Sequence, residues 1–551
     1  MKQKVLKVHP ADNVLVALQD LEAGSVVTYN GTDYTLKEKI PAKHKFTTSP
    51  LQKGDKITMY GVLVGKAQTD LETGVRISTE NVKHAANGYT LSAERRTAWH
   101  IPDISKWKDR TFMGYHRADG SVGTGNYWLV IPLVFCENRN VEVLKNAMLK
   151  ELGYAKPDKY ASFMQQLIKI QQSGGDVQQV LATTWTAEED ADAGKRIFPN
   201  VDGIKFLTHE GGCGGIRQDA QTLCGLLAGY ITHSNVAGAT VLSLGCQNAQ
   251  ISMLQDEIKK RDPNFSKPLY ILDQQQTGSE PLLITNAIKQ TFAGLMLANQ
   301  VTRQPAPLSK LTIGLECGGS DGFSGISANP AIGYTSDLLV ALGGSVILAE
   351  FPELCGVEQE MSDRCKSVED ANRFIDLMRT YALRAEEAGS GFDMNPSPGN
   401  IKDGLITDAI KSAGAAKKAG TSPVAAVLDY PEKVQRPGLN LLCTPGNDVE
   451  STTAEVGSGA NIVLFTTGLG TPTGNPIAPV LKLSSNTKLF QHMPEIIDIN
   501  TGTIIDGEET IEEAGQRILD YVIEVASGNI PAKSVVNGQD DFIPWKRGVS
   551  L

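Results

Sequence analysis

The sequence predicts a multidomain α/β protein, in which a small β-rich domain is followed by two α/β domains with largely parallel sheets. Short apolar runs alternate with turn signals up to about residue 95, whereas strand-like and helix-like runs alternate from about residue 112 onward. A chain of 551 residues is also too long for one hydrophobic core. We therefore expect a β-rich domain, a linker and two α/β domains, at residues 1–95, 96–111, 112–262 and 263–551.

The N-terminal domain is predicted from short strands and their turns. Residues 26–29 and 56–64 are strand-like, and turn signals occur at Asn30-Gly31, Lys53-Gly54-Asp55 and Asn87-Gly88. This pattern is typical of a compact barrel or sandwich. The following stretch, with Trp99 and Trp107, has neither strand nor helix periodicity, so we expect a linker that packs on a larger body.

The α/β domains are predicted from recurring strand and crossover-helix patterns. Such alternation implies parallel sheets that are covered on both faces, because parallel neighbours need a crossover connection. The boundary between the two domains is placed at Asp262-Pro263. Residues 413–425 are rich in Ala, Gly and Lys, and we expect a solvated loop or short helix there. The strand-like runs are residues 128–135, 203–207, 239–244, 268–272, 311–315, 345–348 and 462–465.

Bulk properties narrow the function classes. The formal net charge of -10 is spread along the chain without a basic block, which argues against nucleic acid or an anionic membrane surface as a partner. No stretch approaches the roughly 20 apolar residues of a membrane span. The first residues lack a signal-peptide pattern, and the eight cysteines show no CxxC spacing. A cytoplasmic protein with reduced thiols is the natural expectation.

Three cysteines stand where an apolar run gives way to glycine, which is typical of the carboxyl end of a buried strand. They are Cys213, Cys246 and Cys317. Ligand sites of open α/β sheets lie at such strand ends. Acidic and imidazole groups accompany two of them, so we expect a polar or metal-bearing pocket; ordinary packing and turn chemistry is the alternative at each position. These groups are His209, Glu210, Glu316 and Asp321.

The N-terminal domain contains a second group of candidate residues. His9, Asp12 and Asn13 lie within one turn, Lys43-His44-Lys45 follows, and His84 comes later. Imidazole and carboxylate together can bind a divalent metal or form a base with its orienting partner. Groupings of this kind are also common in surface turns, which is the alternative interpretation.

Three loops are candidates for holding an anionic substrate. Residues 114–127 place Arg117, Asp119 and Asn126 among glycines before a predicted strand, where an Arg fork could grip a carboxylate. An internal Arg117–Asp119 pair is the alternative. Asn400 lies in a second loop, and Thr466 and Thr467 begin a Gly/Thr-rich third. The third loop lacks GxxxxGK[ST], and no GxGxxG opens a helix, so nucleotide and nicotinamide sites are disfavoured.

These residues belong to motifs that resemble the altronate and galactarate dehydratases, in order over nearly the whole chain. The resemblance implies an N-terminal SAF-type domain and a hydro-lyase of hexuronate catabolism that converts D-altronate to 2-dehydro-3-deoxy-D-gluconate with Fe2+ or Mn2+. Gly125, Gln247 and Leu469 depart from the family pattern, in which charged residues are common. The motifs are His9-Pro-Ala-Asp-Asn-Val14, Gly114-Tyr-His-Arg-Ala-Asp-Gly120, His209-Glu-Gly-Gly-Cys-Gly214, Leu244-Gly-Cys246, Cys317-Gly-Gly-Ser-Asp321, Glu350 with Glu353, Gly399-Asn400 and Phe465-Thr-Thr-Gly468.

The resemblance also suggests roles, with the small domain closing over a crevice of the large body. The metal ligands would be Cys213, Cys246 and Cys317, binding one iron ion, or alternatively a [4Fe–4S] cluster. The catalytic candidates are His9, Asp12, His44, His209 and Asp321. The substrate-binding candidates are Arg117, Asp119, Asn126, Asn400, Thr466 and Thr467.

Several alternatives stay open at the level of sequence. The substrate could be galactarate or another aldonate or aldarate. The chain could instead be a non-catalytic sugar-acid binding protein, or an isomerase or aldolase acting on a similar polyol acid. In each case the partner is a small sugar acid, and the sequence leaves a homo-oligomer open.

Overall fold

The computed structural model describes residues 3–90, 95–156, 160–185 and 195–550. The strands are β1 Val5–Leu6, β2 Val14–Ala17, β3 Val26–Tyr29, β4 Thr32–Thr35, β5 Lys45–Thr47, β6 Lys56–Met59, β7 Val62–Ala67, β8 Val82–Lys83, β9 Thr111–His116, β10 Val122–Gly123, β11 Tyr127–Pro132, β12 Gly203–Phe206, β13 Val236–Ser243, β14 Leu269–Asp273, β15 Gln304–Pro307, β16 Thr312–Cys317, β17 Ser345–Leu348, β18 Val424–Asp429, β19 Gly438–Cys443, β20 Ile462–Thr467, β21 Val480–Ser484 and β22 Ile499–Asn500.

The α-helices vary from 4 to 20 residues in the described part of the chain. They are α1 Asn138–Met148, α2 Ala161–Gln172, α3 Val177–Ala182, α4 Arg217–Thr232, α5 Ile251–Arg261, α6 Gln274–Thr277, α7 Glu280–Ala298, α8 Ala328–Ala341, α9 Glu358–Arg364, α10 Val368–Glu387, α11 Pro398–Lys402, α12 Asp408–Ala415, α13 Asp448–Gly457, α14 Thr487–His492, α15 Gly502–Asp506, α16 Ile511–Ala526 and α17 Lys533–Asn537. Within the described residues, none is both long and apolar enough to cross a membrane.

The N-terminal domain is β-rich, as predicted. It consists of three small antiparallel groups, β1-β2-β5, β3-β4 and β6-β7-β8. Asn30 and Gly31 both have positive φ angles, 51° and 79°, and form the two-residue turn between β3 and β4. One face of the domain encloses its own core around Leu15 and Phe46, while the other joins the core of the C-terminal domain through Met59 and neighbouring residues.

The segment after the N-terminal domain is fastened to the C-terminal domain at several points. The Arg95 guanidinium donates to the Ser362 carbonyl (2.8 Å), and the Trp99 indole donates to the Thr421 hydroxyl (3.1 Å). Trp107 is buried, and its Nε1–H donates to Asp520 on α16 (2.8 Å). Strand β9 then pairs with β10 and β15, which leads into the middle domain.

The middle domain has a four-stranded parallel sheet in the order β12-β11-β13-β14. Strand β14 begins at Leu269, seven residues beyond the predicted boundary at residue 262, and pairs with β13 along its length. Helix α7 covers the same sheet; a Cβ atom on its Gly294 would lie 2.0 Å from the Trp128 ring, so the glycine allows the helix to approach. The predicted boundary is therefore wrong, because it cuts through this sheet.

The C-terminal domain has a seven-stranded parallel sheet in the order β18-β19-β17-β16-β20-β21-β22. Together with the middle sheet it confirms the prediction of two α/β domains with parallel sheets. Residues 413–425 are not solvated, however. They form the end of α12, a 3-10 turn and the start of β18, and Lys418 is completely buried there. The segment was expected to be solvated because it contains several polar residues, although it lies in the core.

The middle and C-terminal domains are in direct contact. Helix α4 packs against α13, and a Cβ atom on Gly229 would lie 2.2 Å from the Gly457 carbonyl oxygen. The last residues of the chain cross back to the middle domain, where the backbone amides of Arg547 and Gly548 donate to Asp219 (3.1 and 3.2 Å). The two α/β domains thus share a tightly packed boundary.

We predict that Gly229→Ala destabilises the protein by about 1–3 kcal/mol, because the new methyl group would overlap a backbone oxygen that cannot move away alone. Gly88→Ala is the matched control, since a Cβ there meets no atom of the described residues within 4 Å. The measurement is chemical denaturation followed by tryptophan fluorescence. Equal stability of the two variants would show that the α4–α13 contact is loosely packed.

Candidate active site

The N-terminal domain inserts a basic segment at the carboxyl end of the C-terminal sheet. Lys43 adopts a left-handed backbone conformation (φ 75°) and donates from Nζ to Asp321 (3.0 Å) and Asp403 (2.8 Å). Two glycines make this approach possible, because a Cβ on either Gly322 or Gly404 would lie 2.5 Å from the Lys43 carbonyl oxygen. The contact joins residues about 280 and 360 positions apart in the chain.

Asp321 is the acceptor at the centre of this contact. Its Oδ1 accepts from the amides of Phe323 and Ser324 and from the hydroxyls of Ser324 and Ser485, at 2.7 to 3.1 Å. Its Oδ2 accepts from Asn486 (3.2 Å) and from Lys43. Both carboxylate oxygens of Asp321 are therefore engaged by donors, and the residue anchors Lys43.

The neighbouring Lys45 is a buried amine that donates to the Gly404 carbonyl (2.7 Å). Burial lowers the pKa of Lys45 to about 7, although the charge of Asp321 opposes the shift. Burial also lowers the pKa of His44, against a hydrogen bond to the Lys402 carbonyl (3.0 Å). Because a carbonyl can only accept, His44 Nε2 carries the hydrogen, and Nδ1 is left as a buried acceptor without a partner among the residues that the structure describes.

A second charged group lies beneath the same strand ends. The Lys418 Nζ contacts Glu350 (2.5 Å) and the Cys317 sulfur (3.1 Å), and Lys411 pairs with Glu353 (2.5 Å). The Cys317 thiol is also 3.1 Å from Glu353. Glu350 has a φ of 62°, a conformation that costs energy for a residue with a side chain and that is often found at functional sites.

Burial and neighbouring charges shift the pKa values of the acidic and basic groups in this cluster. Burial, reinforced by the charge of Glu350, raises the pKa of Glu316 well above its usual range, and burial does the same for Glu455. Burial disfavours the charge on Lys418, but Cys317, Glu350 and Glu353 outweigh it and hold its pKa well above normal. Burial also raises the pKa of Asp448 to about 7, with the charge of Glu350 adding to the shift.

The space between the N-terminal domain and this cluster is small. A cavity of about 10 Å³ is lined by Tyr60 of the N-terminal domain and by Cys317, Asp321 and Lys411 of the C-terminal domain. It has room for about one water molecule. A ligand of several carbon atoms could enter only if the N-terminal domain withdrew from the strand ends.

The structure brings six of the residues predicted from the sequence to this edge. Three of them make mainly structural hydrogen bonds. Asn400 donates to the Ser320 carbonyl (2.8 Å), Thr466 donates to Asn329 (2.7 Å), and the Thr467 hydroxyl accepts from the Gly470 amide (2.9 Å). The six residues are His44, Cys317, Asp321, Asn400, Thr466 and Thr467.

His9 and Asp12 form a turn of their own. Asp12 is buried and accepts from the amides of His9 (2.9 Å) and Gly61 (2.9 Å), while the His9 Nδ1 accepts from the Ala11 amide (3.1 Å). These bonds close the turn and place the His9 ring over Gly61. The pair supports the fold of the N-terminal domain, which was the alternative interpretation of this motif.

Arg117, Asp119 and Asn126 lie at the wrong edge of the middle sheet. Arg117 donates to the carbonyls of Ser234 (2.7 Å) and Gly125 (3.2 Å), just before β13 and β11 begin. Asp119 caps its own turn through Ser121, and the Asn126 side chain donates to two backbone carbonyls. All three are at the amino ends of the strands. Residues 114–127 are not one loop, because they contain the end of β9, strand β10 and the turns around it, and these three side chains bind backbone groups.

The proposed metal ligands are not brought together. Cys317 is buried in the C-terminal domain, whereas Cys213 and Cys246 are exposed at the carboxyl edge of the middle sheet. His209 is beside Cys213, but its Nε2 is bonded to the Pro132 carbonyl (2.8 Å) and its Nδ1 accepts from the Gly211 amide (3.1 Å). Burial lowers its pKa to about 4, so His209 is a neutral structural residue. The set of three ligands is therefore wrong.

Four residues of the cluster were missed by sequence analysis: Lys45, Lys411, Lys418 and Asp448. Lys45 was noted only as part of a basic run, and Lys418 lies in the segment that was interpreted as solvated. Lys418 lies in an alanine-rich run directly beside a second lysine, Lys417, so nothing in the run itself indicated a buried cation. Its partners, Cys317 and Glu350, are 101 and 68 residues away, so no local pattern connects them.

A further group of side chains joins the two domains beside this site. Ligand-type atoms of His84, Cys355 and Asp408 lie within 4.8 Å of one another. Burial raises the pKa of Asp408 to about 8 and raises that of the Cys355 thiol as well, while it lowers the pKa of His84. All three groups are therefore uncharged near neutral pH, and they form a neutral contact at the interface.

Three family models match the chain consecutively. The altronate/galactarate dehydratase SAF domain matches residues 3–85, the second domain of D-galactarate dehydratase/altronate hydrolase matches residues 114–299, and the C-terminal domain of D-galactarate/altronate dehydratase matches residues 308–550. The middle match ends after α7, in agreement with the strand pairing of β14.

Curated relatives are similar over the full length. The chain is 31% identical to an altronate dehydratase of Bacillus subtilis (strain 168) over 553 residues, which covers 99% of both chains. An altronate dehydratase of Escherichia coli (strain K12) gives the same values. A galactarate dehydratase (L-threo-forming) of Escherichia coli (strain K12) is 30% identical over 530 residues, 95% of this chain and 92% of the relative.

We predict that Lys418→Met lowers the free energy of unfolding by about 3–5 kcal/mol, because it leaves the Glu350 carboxylate buried without its cation. The double variant Lys418→Met/Glu350→Gln should recover much of this loss. Lys39→Met is the control, since Lys39 pairs with Glu22 on the surface, where ion pairs contribute under about 1 kcal/mol. Chemical denaturation measures all three, and a Lys418→Met variant as stable as Lys39→Met would contradict the prediction.

We also predict that the contribution of Lys45 makes the free energy of unfolding increase as pH rises above 7. In the folded chain its pKa is about 7, whereas an unfolded lysine keeps its proton to about pH 10.4, so the unfolded state binds more protons between these values. The free energy of unfolding of the native chain, minus that of Lys45→Met, should increase by roughly 2 kcal/mol between pH 7 and 8.5. A difference that stays constant over this range would show that Lys45 is not buried as an amine.

Proposed function

Since this chain belongs to the D-galactarate/altronate dehydratase family, whose enzymes are hydro-lyases, we propose that it removes water from a sugar acid and that D-altronate is its substrate. The altronate dehydratases that it resembles match it over 99% of their length, compared with 92% for the galactarate dehydratase. The product would be 2-dehydro-3-deoxy-D-gluconate. The reaction site in this proposal is the edge of the C-terminal sheet beneath the N-terminal domain.

The observation that carries the proposal is the pairing of a weakly basic amine with stable cations. Lys45 has a pKa of about 7, so a large fraction is a neutral amine at physiological pH. Lys43, Lys411 and Lys418 keep their protons, because the surrounding acidic groups outweigh the cost of burial. A general base whose pKa is near the working pH is efficient in proton transfer. Perturbed groups of this kind concentrate at active sites.

The chemistry of dehydration requires both kinds of group. The hydrogen on carbon 2 of an aldonate is weakly acidic, because its removal next to a carboxylate places a second negative charge on the same oxygens. Lys45 would accept this proton, and the ammonium groups would neutralise the developing dianion. Loss of the carbon 3 hydroxyl, with one proton, then yields an enol that rearranges to the 2-keto acid. Asp448, with a pKa of about 7, is an acid on the same edge that could supply that proton.

A single Fe2+ or Mn2+ ion fits this cluster poorly. Cys317, Glu350 and Glu353 offer ligand atoms within 4.8 Å of one another, which is a suitable donor set by itself. The Lys418 ammonium, however, already contacts both Cys317 and Glu350, and Lys411 contacts Glu353. A divalent ion would lie against two positive charges. No step of the reaction proposed here therefore depends on an ion at these three residues.

We predict that Lys45→Met lowers kcat for D-altronate by about 10²- to 10⁴-fold, the usual loss when a general base is removed. The assay measures 2-keto-3-deoxy acid from a panel of aldonates and aldarates, without oxygen and with added Fe(II) or Mn(II). Lys39→Met is the control, because Lys39 is exposed and remote from the cluster. For the native chain, log kcat should rise through an apparent pKa near 7 as pH increases.

Two results would decide against parts of the proposal. Full activity of Lys45→Met would exclude Lys45 as the base. Turnover of galactarate without turnover of D-altronate would retain the hydro-lyase and change the substrate.

A further inference from the structure

Three potential metal ligands meet where the N-terminal domain contacts the C-terminal domain. His84 directly follows β8, Cys355 ends the 3-10 turn that comes after β17, and Asp408 is the first residue of α12. One ligand-type atom from each lies within 4.8 Å of the other two. The three residues come from separate parts of the chain, so the set forms only when the two domains are in contact.

Local packing explains why these three elements converge. Gly356, in the turn after β17, has a φ of 91°, and a Cβ on it would lie 3.1 Å from the Ala86 side chain and 3.6 Å from that of Ala409. The glycine thus allows the segment after β8 and the first turn of α12 to approach this turn. The Thr407 hydroxyl, at the start of α12, also donates to the Val64 carbonyl of β7 (2.8 Å). These contacts position the three ligands relative to one another across the domain boundary.

Two polar atoms of the cluster are buried without a hydrogen-bond partner among the described residues. They are Nδ1 of His84 and Oδ2 of Asp408. Asp408 is completely buried, and its other oxygen accepts a long hydrogen bond from the Ser412 hydroxyl (3.4 Å). Buried polar atoms are nearly always paired with protein, water or an ion, so two unpaired atoms in one cluster are a signal for a bound ligand. A metal ion would satisfy both atoms at once.

The chemistry of the three donors determines which ion fits. One imidazole nitrogen, one sulfur and one carboxylate oxygen suit Zn2+, whereas Mg2+ and Ca2+ prefer oxygen ligands alone. A tetrahedral Zn2+ ion keeps its ligand atoms roughly 3.3–3.8 Å apart, so atoms within 4.8 Å of one another need to close by little more than about 1 Å. A thiolate, a carboxylate and Zn2+ together carry no net charge. The ion can therefore be bound at a partly buried interface without leaving an unpaired charge.

The charges around the cluster favour a cation. Lys411 lies in the same helical turn as the aspartate, but its ammonium group is paired with Glu353 (2.5 Å). Burial raises the pKa of the Cys355 thiol, and the negative charges of Glu358 and Asp393 are among those that add to this effect. Carboxylates that disfavour a bare thiolate attract a bound cation for the same electrostatic reason. This distinguishes the site from the cluster around Glu350, where two ammonium groups oppose a divalent ion.

We propose that His84, Cys355 and Asp408 bind a Zn2+ ion, with water in the fourth position, and that the ion fastens the N-terminal domain to the C-terminal domain. Binding breaks one S–H and one O–H bond, forms one bond each from zinc to sulfur, oxygen and nitrogen, and releases two protons. No atom is oxidised or reduced. None of the three residues takes part in the dehydration described above, so the inference does not rest on that function. The ion would hold the interface closed over Lys45.

The test uses the full-length chain, kept reduced and first stripped of metal with a chelator. Zinc is then titrated in competition with a chromophoric chelator. His84→Gln, Cys355→Ser and Asp408→Asn, which largely preserve side-chain size, should each weaken binding at one site by about 10²-fold or more. Cys365→Ser is the matched control and should bind as much Zn2+ as the native chain, because this thiol is buried elsewhere and donates to the Met361 carbonyl, as a serine can. Co2+ in place of Zn2+ should give the visible absorption of tetrahedral thiolate coordination, and Cys355→Ser should lose it.

The effect on the domain interface is measured separately. Hydrogen exchange of the backbone amides in β7 and β8 should slow when Zn2+ is added to the native chain, because local opening at the interface becomes rarer. The same addition to Cys355→Ser should leave the exchange rates unchanged.

Three outcomes would overturn the proposal. They are equal zinc binding by the native chain and the ligand variants, loss of zinc in the Cys365→Ser control instead, and bound zinc that leaves the exchange of β7 and β8 unchanged. A variant whose circular dichroism spectrum departs from that of the native chain is set aside, and the other two then decide. All measurements are made without a sugar acid, so these outcomes are distinguishable from a failure of dehydration.

Discussion

The burial of charge at the carboxyl end of the C-terminal sheet is the constraint on which the rest of the structure depends. Lys418 and Lys411 are buried cations, and each is matched with a glutamate at 2.5 Å. Charges taken out of water are tolerated only when they are paired with good geometry. Strand β16, the turn after β17, helix α12 and the 3-10 turn after it must therefore keep their relative positions, since they supply Cys317, Glu350, Lys411 and Lys418 respectively. The packing of this domain therefore cannot change without changing the electrostatics of its strand ends.

The same constraint explains how a small N-terminal domain can be a working part of a large protein. Its Lys43 donates to Asp321, and Lys45 is buried where the two domains meet, with its amine bonded to the Gly404 carbonyl. Closing the interface desolvates Lys45 and lowers its pKa. Opening it would return the amine to water and restore its ordinary basicity. Proton affinity and domain position are thus coupled in this arrangement, and a ligand that stabilises the closed form would also stabilise the neutral amine.

The sequence predicted much of the fold and part of the site, and the division has a physical basis. Strands buried on both faces are long apolar runs, so β11, β13, β16 and β20 were recognisable. The domain boundary failed because a short strand, β14, follows a proline and resembles the start of a new unit. Asp321 and Cys317 were found because glycines mark strand ends. Arg117 was placed correctly before a strand, but the sequence did not show that its guanidinium binds two backbone carbonyls. Lys418 was missed because its partners are distant in sequence.

The attachment of the connecting segment sets a limit on what the N-terminal domain can do. Arg95, Trp99 and Trp107 fasten this segment to the C-terminal domain by side-chain hydrogen bonds. The domain is therefore held on a short tether, and short tethers give effective concentrations of about millimolar. Contacts that would be too weak for two separate chains are then enough to keep the interface closed most of the time. A ligand at the interface would exchange when the N-terminal domain rotates about the tether. This rotation would reverse rapidly, because no free subunit has to diffuse back.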